Sequence, residues 1–333
     1  MFPFIAFFSF VLTWLLSRYA LAHGVIDLPN LRSSHTAPTP RGGGVAIVFS
    51  FSAASLTLFY FNMLPAAQLA ALLGAGVFVA INGFWDDHVH IAVRWRLLGH
   101  FLASIWVLYW VDGLAPLSFF NWVIELGAFG YLLSAIFLVY MLNLYNFMDG
   151  IDGIAAIEAV SVCASAAFLY WVKGEETQIY GPLLLACSVL GFLYWNYPPA
   201  RIFMGDAGSG FLGIIFGIFV LQAAWISSDF FFAWLILLGV FIVDATLTLV
   251  RRFLRGEKIY EAHRSHAYQS ASRYYGRHLP VTLATGILNV CWLLPIAFLV
   301  VDEKLEGVIG LLIAYLPLLF LAFRFRAGAM EAS

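Results

Sequence analysis

Long apolar stretches alternate with short polar ones along almost the whole chain. Each stretch is continuously apolar rather than apolar at every second residue, which is typical of helices and not of strands. A helix needs about 20 residues to cross about 30 Å of hydrocarbon. We therefore predict an all-α polytopic integral membrane protein with about 11 transmembrane helices, at residues 3–22, 44–62, 66–85, 97–111, 122–145, 153–172, 179–196, 209–226, 230–250, 280–301 and 307–323.

The composition agrees with this prediction and excludes a soluble protein. Apolar residues make up 62% of the 333 residues and charged residues only 11%, too few to cover the surface of a soluble domain. The cysteines Cys163, Cys187 and Cys291 lie in apolar stretches without paired spacing, so neither disulfides nor a thiolate metal site is expected. We expect a lipid bilayer around the chain and no nucleic acid as a partner.

The basic residues predict the orientation of the helices. Of the 17 lysines and arginines, all except Lys173 and Lys304 fall on alternate polar segments, and cytoplasmic loops carry such an excess. Arg18 follows the first apolar stretch instead of preceding it, which favours a membrane anchor over a signal peptide. We therefore predict an outer N-terminus, a cytoplasmic C-terminus and a single domain, 1–333. Its active site would be built from the inner loops 23–43, 85–96, 146–153, 197–209 and 251–279.

Two of these loops combine charge with helix ends. Arg41 precedes three glycines at the start of the second predicted helix, where free N–H groups can bind a phosphate. The alternative is a loop whose arginines contact lipid headgroups. Asp86 and Asp87 repel each other and oppose the dipole at a helix C-terminus. They therefore require a compensating cation, either a metal or Arg94 and Arg96.

The next two loops are rich in amide, carboxyl and glycine groups. Asn146, Asp149 and Asp152, together with Asn143, suit a hydrogen-bonded ligand such as a nucleobase and a metal ion. The alternative for Asp152 is a helix cap. Gly205 and Asp206 begin the glycine-rich segment 205–210, which suits a metal-bound diphosphate, although Asp206 or Ser209 can instead be an N-cap.

The last inner loop is the most basic. Its histidines His263 and His266 are better suited to a phosphate than to zinc, because no third zinc ligand is near. The alternative is an amphipathic segment lying on anionic lipid. Asp244, about two turns inside the ninth predicted helix, is suspected of function because intramembrane acids are costly.

Five motifs together resemble the polyprenyl-phosphate N-acetylhexosamine-1-phosphate transferase family (glycosyltransferase family 4). They are RSSHTAPTPRGGG, the pair Asp86-Asp87, NLYNFMDGIDGIA, RIFMGDAGSGFLG and AHRSHAYQ, in the family's order and loop positions. The resemblance implies a bacterial inner-membrane enzyme with a cytoplasmic active site. It implies transfer of N-acetylhexosamine-1-phosphate from a UDP-sugar to undecaprenyl phosphate, with release of UMP and with Mg²⁺, or alternatively Mn²⁺, as cofactor.

The resemblance also implies roles for individual residues. Asp206 resembles the metal ligand, and Asp86 and Asp87 the essential acidic pair, one of them the base for the lipid phosphate. Asn146 and Asp149 resemble positions of the nucleotide pocket, and Asp152 an essential acid beside it. The remaining candidates are His263 and His266 in the loop over the donor diphosphate, and the substrate-binding residues Arg41, Arg32 and Gly205.

Several alternatives stay open at this point. The triple-histidine run of the peptidoglycan-precursor branch is absent, which favours initiation of O-antigen, lipopolysaccharide or a related envelope glycan. The sequence does not distinguish UDP-GlcNAc, UDP-FucNAc or UDP-QuiNAc as donor, direct attack from a covalent aspartyl intermediate, or a monomer from a homodimer. A polytopic transporter is the rival class, with Asp244 as the acid considered for it.

Overall fold

A computed structural model describes residues 1–29, 37–89, 91–120, 122–257 and 263–329. Arg32 lies outside these residues, so its predicted role stays a prediction. The helices are α1 (Phe2–His23), α2 (Gly44–Tyr60), α3 (Ala66–Val89), α4 (Val93–Val111), α5 (Gly127–Met148), α6 (Ile154–Lys173), α7 (Glu176–Asn196), α8 (Asp206–Ile226), α9 (Ser228–Leu237), α10 (Gly239–Leu254), α11 (Ala267–Tyr275), α12 (Leu279–Val301) and α13 (Gly307–Arg324).

The structure confirms an all-α class with many membrane-type helices. In the described part of the chain, eight helices are long and apolar enough to cross a membrane. A ninth span results if α9 and α10 are counted as one. α2 has only 17 residues, and α4 is not among the eight. The exact number of 11 spans and the orientation therefore stay predictions, although a helix lies at each predicted position.

The single helix predicted at 230–250 is wrong in one respect. The chain breaks at Leu238, and α9 and α10 meet at an angle of 72°. The sequence pattern does not report this bend, because the residues on both sides of Leu238 are equally apolar. Asp244 lies in α10, about one and a half turns after the bend.

The centre of the bundle is α8. Within its apolar segment, 83% of the residues are buried. The reason is that α5, α3 and α2 all pack against this helix. Glycines make this close packing possible: a Cβ atom at Gly213 would lie 2.6 Å from the carbonyl oxygen of Met141 in α5. Tight packing on several sides fixes the first residue of α8, Asp206, relative to the helices around it.

Short two-stranded ribbons complete the fold. β1 (Ile26–Asp27) pairs antiparallel with β2 (Thr39–Pro40), and β3 (Leu117–Phe119) pairs with β4 (Trp122–Ile124). The β1–β2 ribbon continues into a main-chain hydrogen bond from Phe203 to Pro40, at 2.8 Å. The first predicted inner loop is thereby attached to the segment that leads into α8.

Candidate active site

Four of the five predicted inner loops line one cavity at the end of the bundle. Its volume is about 190 Å³. The lining residues are Asp27, Arg41, Asn146, Asp149, Gly150, Ile151, Asp152, Asn196, Phe203, Met204, Gly205, Asp206, Ser209, Gln269 and His278. The remaining loop, 85–96, reaches the same place through Asp87, which contacts Arg41 and Asp206. Residues of all five loops therefore lie close together at this end of the bundle.

Arg41 is the electrostatic centre of the cavity. Its Nη2 atom lies 2.6 Å from Oδ1 of Asp87 and 2.9 Å from Oδ1 of Asp206. Burial disfavours the charged guanidinium, but the carboxylates of Asp87 and Asp206 outweigh it and raise the pKa of Arg41. Arg41 is therefore a fixed positive charge that lines the cavity between two acids.

Asp87 also holds the start of α8. Both of its carboxylate oxygens accept a hydrogen bond from the main-chain nitrogen of Asp206, at 3.0 and 3.2 Å. Neither Asp206 nor Ser209 provides a side-chain cap, so the capping alternative for these two is wrong. Gly205 has φ +78°, and a Cβ atom there would lie 2.7 Å from Oδ2 of Asp87. Glycine is required at this position for backbone shape and for space.

Asp86 points to a different partner than Asp87. Its carboxylate lies 3.0 Å from Nη1 of Arg96 and accepts a hydrogen bond from the main-chain nitrogen of Ile91, at 2.8 Å. Adjacent residues on a helix point about 100° apart, so each acid has its own cation. Arg96 compensates the charge of Asp86, and Arg41 that of Asp87. Arg94, the other arginine considered for this role, instead lies over the ring of Trp95.

Asn146 and Asp149 lie beside Asp206 at the end of α5. The Asn146 amide donates to Oγ of Ser209 at 3.1 Å, which links α5 to α8. Burial, and then repulsion from the Asp206 carboxylate, raises the pKa of Asp149 well above its usual value. A cationic ligand that approached Asp149 would lower this pKa again. These two residues lie where the sequence predicts a ligand-binding pocket.

Asp152 does not cap α6, so the capping alternative for it is wrong. The N-cap is Gly153, and the Asp152 carboxylate instead accepts a hydrogen bond from the main-chain nitrogen of Ala200 at 3.0 Å. Its other oxygen lies 3.1 Å from Nδ1 of His278. Asp152 therefore connects three loops at the wall of the cavity.

The histidine segment is anchored by Asp244. Its two carboxylate oxygens accept hydrogen bonds from the main-chain nitrogens of Ala267 and Tyr268, both at 2.9 Å, and one lies 3.2 Å from Nδ1 of His266. Asp244 thus caps the start of α11 from a neighbouring helix. Oγ1 of Thr248 donates a fourth hydrogen bond to it, at 3.1 Å. The cost of burying this acid is offset by these four hydrogen bonds, and its role is to position the segment.

His263 and His266 do not line the cavity. Their rings stack at 4.8 Å between centroids, and both contact the ring of Phe147. Burial, and then the neighbouring His266, lowers the pKa of His263 to about 3, so His263 is neutral at pH 7. The Nε2 atom of each histidine is buried without a hydrogen-bond partner among the described residues.

The donor set suits a hard divalent cation in part. Asp206, Asp149 and Asn146 all line the cavity, and carboxylate and amide oxygens are ligands that Mg²⁺ prefers. Among the described residues, no group of three or more His, Cys, Asp and Glu side chains is arranged to hold a metal. A cation would therefore require ligands from the substrate as well, as is common for Mg²⁺ bound to phosphates.

The sequence reasoning missed four residues of this site. They are Asp27, Asn196, Gln269 and His278. Asn196 gives no signal in the sequence, because it is the last residue of an apolar helix. In the structure, its side chain accepts a hydrogen bond from the main-chain nitrogen of Gly153 at 3.0 Å and donates one to the carbonyl oxygen of Ile202 at 2.9 Å. His278 lies in the basic loop, and its position directly before Leu279-Pro280 at a helix start was the available signal.

Comparison of the sequence with known proteins identifies the family of the chain. Residues 69–224 match Glycosyl transferase family 4. A probable undecaprenyl-phosphate N-acetylglucosaminyl 1-phosphate transferase from Bacillus subtilis is 30% identical over 264 residues, covering 78% of this chain and 72% of that protein. The chain belongs to glycosyl transferase family 4. This confirms the resemblance that the five motifs indicate.

Two further family members show how the similarity is distributed. An undecaprenyl-phosphate alpha-N-acetylglucosaminyl 1-phosphate transferase from Thermotoga maritima is 28% identical over 276 residues, which cover 82% of this chain and 81% of that protein. A phospho-N-acetylmuramoyl-pentapeptide-transferase from the same organism is 34% identical, but over 187 residues that cover 54% of this chain and 59% of that protein. The similarity to the N-acetylglucosaminyl relatives is thus the more extensive.

Proposed function

We propose that this protein transfers an N-acetylhexosamine-1-phosphate from a UDP-sugar to undecaprenyl phosphate and releases UMP. The observation that carries the proposal is the cavity in which Arg41, Asp87 and Asp206 meet at the end of the bundle. Family membership adds support, because the relatives named above are transferases of this class. A fixed cation and a helix N-terminus beside carboxylates suit a phosphorylated substrate.

The residues suggest how the reaction proceeds. A lipid phosphate oxygen attacks the sugar-linked phosphorus, and the bond from that phosphorus to the bridging oxygen breaks, leaving the electron pair on UMP. A proton on the attacking phosphate passes to a carboxylate. We assign this role to Asp87, because its carboxylate contacts both Arg41 and the main-chain nitrogen of Asp206. Arg41 stabilises the charge on the diphosphate. A bound Mg²⁺ would neutralise charge on the leaving group, with Asp206 as its ligand from the protein.

A two-step route uses the same residues. In it an aspartate attacks the sugar-linked phosphorus first and the lipid phosphate then displaces that aspartate. Both routes release UMP, but only the two-step route exchanges labelled UMP into UDP-sugar when the acceptor lipid is omitted. That exchange experiment separates them without any variant.

The pathway we propose is initiation of O-antigen, lipopolysaccharide or a related envelope glycan. The similarity to the N-acetylglucosaminyl relatives covers 78% and 82% of the chain, whereas the similarity to the muramoyl-pentapeptide relative covers 54%. This difference favours the branch we propose. The test incubates purified protein with undecaprenyl phosphate, Mg²⁺ and, one at a time, a panel of UDP-N-acetylhexosamines and UDP-MurNAc-pentapeptide. We expect UMP release with at least one of them. UMP release only with UDP-MurNAc-pentapeptide would assign the other branch.

A transporter is disfavoured by the contacts of the membrane-embedded acids. Asp244 is occupied in capping α11. Glu158 in α6 is a second buried acid, which the sequence reasoning overlooked, and it accepts a hydrogen bond from Nδ2 of Asn289 at 2.6 Å. Neither acid is among the residues that line the polar cavity. The acids that do line it lie at helix ends and not at the midplane, where transporters bind their substrates.

The proposed orientation predicts a labelling pattern. In a variant without its three native cysteines, we expect Thr177→Cys to react with an impermeant thiol reagent in intact cells and Tyr274→Cys to react only after lysis. Both positions are exposed, so accessibility of the side chain does not limit either reaction. Labelling of Tyr274→Cys from outside would contradict a cytoplasmic active site in the bacterial inner membrane.

A further inference from the structure

A second, larger cavity adjoins the polar one. Its volume is about 440 Å³, and its walls include Pro198, Ala200 and Arg277. Three residues line both cavities: Asp152, Phe203 and His278. Binding sites for nucleotide-sized ligands typically occupy about 300–1,000 Å³, more than the first cavity offers alone. A donor that extends from the first cavity into the second passes these three residues.

Asp152 is the acid in this shared wall, and His278 fixes its carboxylate. Nδ1 of His278 lies 3.1 Å from Oδ1 of Asp152, and both side chains are largely buried, with 14% and 12% of their surface exposed. The main-chain N–H of Asp152 also points at this nitrogen, at 3.3 Å. Nδ1 either carries a proton, which it donates to the carboxylate, or accepts from that N–H, and the contact with the carboxylate is the shorter of the two. Because the pair is shielded from water, its hydrogen bond has more influence than one on the open surface.

His278 is itself held on a rigid element. Its carbonyl oxygen accepts hydrogen bonds from the main-chain nitrogens of Val281 and Thr282 in the first turn of α12. Thr282 in turn donates from Oγ1 to the carbonyl oxygen of Asp152, at 2.7 Å. The main chain of the Asp152 loop and the ring of His278 are therefore both attached to the start of α12. Such support keeps a functional side chain in one geometry.

We propose that His278 is a positioning residue for the donor site. It orients the Asp152 carboxylate in the wall between the two cavities, and it acts on donor binding through that carboxylate. This inference rests on the proposed function, since it assumes that the UDP-sugar occupies the polar cavity. It concerns a residue that lies 126 positions from Asp152 in the sequence and outside all five motifs of the family resemblance.

The test is a double-mutant cycle with steady-state kinetics. We expect His278→Ala to raise the KM for the UDP-sugar about tenfold, the loss typical of a charge-assisted hydrogen bond, with kcat and the KM for undecaprenyl phosphate within about twofold. His278→Asn should stay within about threefold of wild type, because its amide N–H replaces Nδ1. In an Asp152→Asn background, His278→Ala should add less than about twofold.

Thr285→Val is the matched control. Thr285 lies about one turn further along α12, and its Oγ1 donates to the carbonyl oxygen of Val281 at 3.2 Å. The substitution removes a buried hydrogen bond of the same helix without removing a contact to the Asp152 loop, so we expect a lower Tm with an unchanged donor KM. An unchanged donor KM in His278→Ala, an equal rise in Thr285→Val, or full additivity with Asp152→Asn would each overturn the positioning role. Absence of UMP release by wild-type protein would instead overturn the proposed function, and this inference with it.

Discussion

Asp206→Asn is expected to abolish UMP release while the protein still inserts into the membrane. The substitution removes the charge that a metal ligand requires and breaks the contact between Asp206 and Nη2 of Arg41. The side chain is 24% exposed and the packing of α8 depends on other residues, so the fold should persist. Loss of a charged group that contacts the reacting phosphates commonly costs about 100- to 1,000-fold or more in rate.

Two measurements make this prediction specific to the metal. The first is UMP release at a series of Mg²⁺ concentrations, and the second is direct binding of Mn²⁺, followed by its electron paramagnetic resonance signal. Asp302→Asn is the matched control, because Asp302 pairs with Lys173 and Lys304 and not with the cavity residues. Mg²⁺-dependent turnover by Asp206→Asn at the wild-type rate would remove Asp206 from the metal site, and so would unchanged Mn²⁺ binding.

The convergence of the inner loops could be predicted from the sequence because it follows from alternation. Once the apolar stretches are helices, every second polar segment must lie at the same end of the bundle, and the basic residues identify that end. Asp149 and Asp206 lie 57 positions apart in the chain but line one cavity for this reason. Residue type at the helix ends then indicates the chemistry.

The partners of individual charges could not be predicted in the same way. Asp86 and Asp87 are one position apart, yet Arg96 compensates one and Arg41 the other, because helix geometry sends the two side chains in different directions. Asp244 appears in the sequence as an isolated acid in an apolar stretch. Its partners are main-chain nitrogens of α11, and a sequence pattern contains no information about them.

The number of membrane spans marks a similar limit. Hydropathy identifies where helices begin and end but not whether they continue straight through the bilayer. The bend of 72° at Leu238 leaves two short helices where the pattern predicts one, and α2 is shorter than the typical length of a span. The short helices pack on different partners: α2 packs mainly against α1 and α7, α9 against α12 and α8, and α10 against α13 and α5.

Arg41→Gln is expected to lower kcat/KM for the UDP-sugar by about 100-fold or more and, at the same time, to tighten the apparent affinity for Mg²⁺. Arg41 contributes one positive charge between Asp87 and Asp206. Without it, the two carboxylates repel each other and attract any other cation more strongly. The fixed charge that stabilises the diphosphate is lost, so tighter metal binding does not restore the rate.

Arg41→Lys separates charge from geometry in this prediction. Lysine keeps the positive charge but cannot contact two carboxylates and a phosphate with one planar fork, so its rate should fall between those of wild type and Arg41→Gln. Initial rates measured against Mg²⁺ and UDP-sugar concentrations give both parameters. Arg324→Gln is the control, because Arg324 lies over the ring of Tyr274 and faces no acid of the cavity. Weaker Mg²⁺ affinity in Arg41→Gln would mean that Arg41 supports the metal site instead of competing with it for Asp206, and the electrostatic account of this cavity would then be wrong.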